Sequence, residues 1–162
     1  MAFEKDFREF CLLLNEERTD YLIVGGHALA FHGAPRATAD IDILIRPEPE
    51  HVSRMLTAIQ RFGFPIDNRT PEYMLAYSKI LQLGHPPVQI HVMTSISGVT
   101  WEDAWDSRQK GEYGEVPVFY IGLSTFLANK KAAARLKDLA DIEALRRKGS
   151  SRAHRDAAPS RV

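Results

Sequence analysis

Cysteine is nearly absent from this chain. Cys11 is the single one, so no disulfide can form within the molecule and a bridge-stapled secreted scaffold is excluded. No apolar run approaches the ~20 residues that a membrane-spanning helix needs. The opening stretch, MAFEKDFREFCLLLNEE, breaks its apolar residues with charges and offers no signal-peptide core. There is no charge excess either, with 21 Lys and Arg against 21 Asp and Glu, which argues against a uniformly basic nucleic-acid-binding domain. Nor is there an internal repeat, or an obvious linker within residues 1–148. These absences leave a reduced, cytoplasmic protein with no membrane association as the expectation.

What is present is an ordinary globular composition, 44% hydrophobic and 26% charged over 162 residues, the length of one domain. The zero net charge hides an asymmetry. From Arg146 onward there are six basic residues and one acid, whereas residues 1–145 hold fifteen basic residues and twenty acids. The expected division is therefore a folded body over residues 1–148 and a basic, disordered tail over 149–162, which has almost no large apolar side chains.

Phe3, Phe7, Phe10, Cys11 and Leu14 recur at helical spacing and predict an amphipathic helix over 3–17. Tyr21–Val24 reads as a buried strand that enters a tight turn at Gly25-Gly26, followed by a short helix over 27–32. Asp40–Ile45 (DIDILI) alternates as a strand should, and Pro47–Arg61 has proline at its entrance and Gly63 beyond its end, as a helix should. Residues 64–77 give weak signals. Ser78–Leu83 and Pro87–Met93 read as a hairpin turning at Gly84-His85-Pro86-Pro87. A short helix over 100–108 carries Trp101 and Trp105 as a packing stripe. Val116–Ile121 reads as an edge strand because of Pro117. Two helices close the body, over about 125–134 with Ser124 as cap, and over 136–148. The fold class is α/β: a mixed sheet flanked by helices, with C-terminal helices.

The densest chemistry lies in YLIVGGHALAFHGAPRATADIDILIR, residues 21–46. Asp40 and Asp42 sit two apart on a strand, so both carboxylates leave one face while Ile41, Ile43 and Ile45 leave the other. Adjacent like charges need a cation, and Mg²⁺ suits a carboxylate pair completed by water or phosphate oxygens; hydrogen bonds from loop amides would also satisfy the pair. Upstream, Gly25-Gly26 permits close backbone approach, which suits a phosphate as well as it suits a plain turn. Phosphoryl transfer needs both parts together. Arg36, four residues before Asp40, can pair with it or reach a phosphate. The six histidines show no metal-ligand spacing, and Cys11 has no visible base partner and reads as core.

Hydrophobic-Gly-Gly, then residues 27–39, then Asp40-Ile41-Asp42-Ile43, resembles the signature of the polymerase-β-like nucleotidyltransferases. Arg36-Ala37-Thr38, the stretch Thr94-Ser95-Ile96-Ser97-Gly98-Val99, and Lys130 with Arg135-Leu136-Lys137-Asp138-Leu139-Ala140-Asp141 are similar to a bacterial branch of small AbiE-toxin-like members. The resemblance covers about residues 18–146. It implies a nucleotidyltransferase-type fold in which Gly25 and Gly26 hold the triphosphate, with Arg36, Thr38, Lys130 and Lys137 as further nucleotide contacts. It also implies that Asp40 and Asp42 hold Mg²⁺, two ions in the family. The implied reaction moves a nucleoside monophosphate from an NTP to a hydroxyl of a protein, an RNA or a small molecule, in a toxin–antitoxin setting with an antitoxin partner.

The pattern departs from the family at one place. Where a third carboxylate belongs on the neighbouring strand, Val88-Gln89-Ile90-His91-Val92 offers His91. An imidazole accepts a proton but does not bridge Mg²⁺ as a carboxylate does, so one ion rather than two is expected. His91 is then either a substitute base or the mark of a catalytically silent nucleotide-binding or protein-interaction module on the same fold.

Overall fold

Residues 4–77, 80–85 and 88–156 are described by the computed structural model. Phe3, Ser78, Lys79, the Pro86-Pro87 part of the expected turn, and residues 157–162 lie outside that set.

The opening helix α1 (Lys5–Glu16) buries Phe7, Phe10, Cys11 and Leu14, the stripe its spacing predicts. Burial pushes the Cys11 thiol up to about 12, so it stays a protonated, unreactive core group. Strand β1 (Tyr21–Val24) leads directly into α2 (Gly25–Phe31), which begins on the two glycines themselves. β2 (Asp40–Ile45) and α3 (Pro49–Arg61, with proline in its first turn) match their expected places. The weak stretch that follows contains a short helix, α4 (Pro71–Tyr77).

The hairpin is present, with β3 shifted to Leu81–His85 and β4 at Val88–Met93. α5 (Trp101–Asp106) starts where the Thr100 hydroxyl accepts a hydrogen bond from the Asp103 N–H. Trp101 and Trp105 stack on it at 5.2 Å between centroids, with the Arg46 guanidinium 5.1 Å from each ring.

Strand β5 (Gln109–Tyr113) has no counterpart in the sequence reading. It pairs antiparallel with β6 (Val116–Tyr120) and takes the edge position that Pro117 had assigned to β6. The proline is tolerated inside because β1 meets β6 at Tyr120, beyond Pro117, so no β1 residue needs the missing N–H. α6 (Leu123–Ala133) begins at Gly122 without a side-chain cap, which leaves Ser124 inside the helix rather than before it. α7 (Leu136–Asp156) runs on past Lys148 into the segment expected to be disordered, a stretch that is free of proline over 149–156 and includes the helix formers Arg152, Ala153 and Arg155.

The six strands form one mixed sheet in the order β3-β4-β2-β1-β6-β5. β2 is central and parallel to β4 with register Asp40↔Gln89, Ile41↔Ile90, Asp42↔His91, Ile43↔Val92 and Leu44↔Met93. Alternation along both strands puts Ile41, Ile43, Ile90 and Val92, all buried, on one face. Asp42 and His91 consequently stand side by side on the other. Phe126 anchors α6 with a fully buried ring, a contact worth about 1.5–3 kcal/mol.

Candidate active site

A cleft of about 760 Å³ opens over the end of β1 and the polar face of β2 and β4. Its floor holds Gly25, Gly26, Asp42 and His91; its cationic wall holds Arg36, Lys130, Arg135 and Lys137. Ile80, Met93 and Ile96 add apolar surface, and Ser95, Ser97 and Asn129 add polar groups.

The register that sets His91 opposite Asp42 also joins their side chains. His91 Nδ1 lies 3.0 Å from Asp42 Oδ1, with both side chains about a quarter exposed (25% and 29%). A carboxylate can only accept, so the proton of this bond belongs to Nδ1. Nε2 has no hydrogen-bond partner among the described residues and is not a buried orphan. The pair is a carboxylate–imidazole dyad whose second ring nitrogen is unshared among the described residues.

Asp42 also explains the first glycine. Gly25 has φ +66°, a conformation that side-chain-bearing residues rarely adopt, and a Cβ there would fall onto Asp42 Oδ2. The backbone thus passes against the carboxylate with no room for a methyl. Gly26 is tight rather than blocked, since its Cβ would lie 3.1–3.2 Å from Thr38.

Asp40 shares the Asp42 face of β2 by alternation but is not among the residues lining the cleft. Thr38, expected to touch nucleotide, donates its hydroxyl to the Asp40 carbonyl at 3.1 Å and also stays off the lining, so here it shapes the entry to β2. His27 follows the glycines with its ring edge-on to Phe7 and Tyr113 at 5.7 and 5.4 Å. Burial lowers its pKa from the usual imidazole value, while the Asp42 charge and the Asp40 backbone pull the other way.

The cationic wall is built around two buried acids. Asp138 and Asp141 are 0% and 2% exposed, and Lys130, itself 4% exposed, reaches both, at 3.0 and 3.1 Å from Nζ. Arg135 closes on Asp138 with both its backbone N–H and its Nε (3.1 and 2.7 Å). Burial alone would raise the Asp138 pKa, but the hydrogen bonds from Arg135 and Lys130 outweigh it and hold the carboxyl at about 2. Arg36 does not pair with Asp40. It makes a two-pronged bond to Asp141, at 2.9 and 3.3 Å, because the loop before β2 leans toward α7. Three cations around two acids leave the wall net positive, and exposed Lys137 adds to it.

Residues outside the sequence expectation complete the cleft. Asn129 donates to the Ser97 carbonyl at 2.9 Å, tying α6 to the loop after β4. Gly98 (φ +72°) lets that loop lie directly on Ala132, where a Cβ would clash. The stretch Thr94–Val99 had been singled out only by resemblance; Asn129 carries no local signal at all.

Among the described residues, no group of three or more His, Cys, Asp or Glu side chains is placed to hold a metal ion. By donor chemistry Asp40 and Asp42, with one Asp42 oxygen taken by His91, would suit at most a single Mg²⁺. They do not supply the third acid that a second, bridged ion needs.

No protein-family model and no curated protein matches the chain. Solved structures do. The lincosamide antibiotic adenylyltransferase LnuA, in its lincomycin-bound form, aligns with TM-score 0.60 at 15% identity, covering 90% of this chain and 97% of that one. A Thermotoga maritima protein assigned to the nucleotidyltransferases, TM1012, aligns with TM-score 0.54 at 16% identity, over 90% and 91%. The likeness is one of fold: the chain has a nucleotidyltransferase-type α/β fold with C-terminal helices. No helix among the described residues is long and apolar enough to cross a membrane.

Proposed function

We propose, from that fold and the cleft it carries, that the protein transfers a nucleoside monophosphate from an NTP to a hydroxyl acceptor with release of pyrophosphate. The observation that carries the reading is the placement of the Asp42–His91 dyad and the Gly25-Gly26 turn on one floor, opposite a wall of Arg36, Lys130, Arg135 and Lys137. The wall's surplus positive charge suits a triphosphate, and fixed cations stabilise charge that develops on the phosphoryl oxygens as the bond breaks. Gly25 and Gly26 let backbone come close to the phosphates without a side chain intervening. Asp40 and Asp42 would hold one Mg²⁺, which when bound neutralises phosphate charge. His91 Nε2 takes the acceptor's proton, and Asp42 holds the ring in the required tautomer and stabilises the imidazolium that results.

The acceptor is a protein, an RNA or a small molecule carrying a hydroxyl. The toxin–antitoxin setting is supported by the sequence resemblance alone. A second reading, a silent nucleotide-binding or interaction module, is favoured by the replacement of an acid by His91. One experiment separates them: α-labelled NTP, Mg²⁺ and a mixture of cell protein and RNA as acceptor, with direct NTP binding measured in parallel. Label transferred by the native protein and lost in His91→Ala supports the enzyme. Binding without transfer supports the silent module, and absence of both removes the nucleotide reading.

A further inference from the structure

A groove of about 530 Å³ lies between α6 and α7 and shares no lining residue with the cleft. Its floor is aliphatic: Leu123 and Leu127 come from α6, Ile142 and Leu145 from α7, and Leu123 is 42% exposed. The spacings are i, i+4 on one helix and i, i+3 on the other, so each pair forms a row along its helix.

The rim is cationic, and no acid lines it. Lys131, one turn beyond Leu127, stands on α6, while Arg146 and Lys148 stand on α7, all exposed. Glu143, outside the groove, lies 4.0 Å from Arg146 and is shared with Arg147 at 3.4 Å, so it offsets little of that charge. The row from Leu123 to Lys131 extends ~12 Å, about two turns of a helix laid alongside.

An aliphatic floor takes leucine-like side chains, and cations on both banks require acids on both flanks of whatever fills the groove. A fatty acid or another single anion would meet one cation and leave the others. Nucleic acid would find the cations but no aromatic platform for its bases. A second copy brings acids without a free apolar face. Its α1 and α3 bury their apolar stripes in their own core, and α1 shows only Leu12, 40% exposed, beside Glu9 and Glu16.

We propose that the α6–α7 groove docks an acidic amphipathic helix of a protein partner. Its aliphatic face fills the floor, and its Asp or Glu flanks meet Lys131 on one bank and Arg146 and Lys148 on the other. The groove is the back of the cationic wall: Lys130 lines the cleft where Lys131 lines the groove, and Asp141 holds Arg36 where Ile142 lines the groove. The partner therefore binds without covering the cleft, whether or not the transferase reading holds.

The test uses the full chain and a fluorescent amphipathic peptide with Leu on one face and Glu on both flanks. Versions with Lys or Gln flanks are run beside it, and binding is read by anisotropy at low and high salt. Expected is saturable binding of the Glu-flanked peptide, about tenfold or more tighter than the Gln-flanked one and weakened by salt. The triple reversal Lys131→Glu, Arg146→Glu, Lys148→Glu should transfer the preference to the Lys-flanked peptide, a result no misfolded variant gives. Leu127→Ser should weaken every peptide, with the fold checked by circular dichroism, and Lys137→Glu in the cleft should leave binding as it was. No binding, equal affinity for the three peptides, or binding untouched by the reversal overturns the proposal. Loss of binding in Lys137→Glu also overturns it, by putting the acidic peptide in the cleft. A dimer in sedimentation velocity that the reversal dissolves makes the occupant a second copy. An RNA oligonucleotide that displaces the peptide through the same cations makes this a nucleic-acid face, and either result overturns the helix.

Discussion

At the scale of single residues, the site depends on what Asp42 touches on either side. One carboxylate oxygen receives the His91 Nδ1–H and the other lies against the Gly25 backbone. Gly25→Ala therefore combines a left-handed backbone with a methyl placed on a carboxylate. It should lower stability by about 1–3 kcal/mol in urea unfolding and displace Asp42, whereas Gly26→Ala, facing only the Thr38 side chain, should cost less. Equal effects at the two glycines would mean that the Asp42 contact is not what demands Gly25. Asp42→Asn keeps the shape and removes the charge. It should abolish Mg²⁺-dependent NTP binding with little change in melting temperature, and a parallel fall in both would mark the residue as structural. For His91→Ala a fall in transfer of about 10²–10⁴-fold is expected, read from initial rates with the fold checked by circular dichroism.

Elements meet where the loop before β2, α6 and α7 share the buried Asp138 and Asp141. The Asp138 carboxyl at about 2 in the folded state lies below its unfolded value of about 3.9, so its contribution to stability is complete above about pH 4 and is lost as pH falls toward 2. Asp138→Asn should flatten that acid limb in urea titrations between pH 2 and 7 and lower stability near neutrality by about 1.5–3 kcal/mol, the worth of hydrogen bonds to a charged group. A variant with an unchanged acid limb would place the acid sensitivity elsewhere. These elements also mark the limit of what the sequence discloses. The i, i+3 spacing of Asp138 with Arg135 and with Asp141 is local and readable. The bond from Arg36 to Asp141 spans 105 positions, and nothing near either residue announces it. The sequence offers Arg36 either its neighbour Asp40 or a phosphate; the fold excludes the first by bonding it to Asp141 on the cleft wall.

Taken whole, the molecule was legible wherever alternation or helical spacing coincided with burial. β2, β4 and α1 follow that rule, β1 was readable as a short apolar run buried throughout, and the Asp42–His91 juxtaposition follows from two correctly placed strands. β5 escaped because Gln109–Tyr113 exposes most of its side chains and buries only Tyr113, so no hydrophobic period exists to read. Pro117 misdirected for a related reason: the edge it implied is supplied by a neighbour too polar to recognise as a strand. The basic C-terminal segment sits at the other extreme, polar throughout yet helical to Asp156. A chain ended at Lys148 should keep its melting temperature, since even an added Cβ at Gly149 would meet nothing within 4 Å. A lowered melting temperature or precipitation would show that the segment docks on the acidic body or on a second copy.

The pairing of Arg36 with Asp141 has a consequence in time. During synthesis the dyad strands leave the ribosome first, and the helix that completes the cationic wall is among the last parts to emerge. Until it does, Arg36 lacks its anchor, and Lys130 lacks both of the acids that hold it in the cleft. A nascent or clipped chain thus carries the dyad without its cationic wall, which is assembled in one stroke with the closing of the final helix.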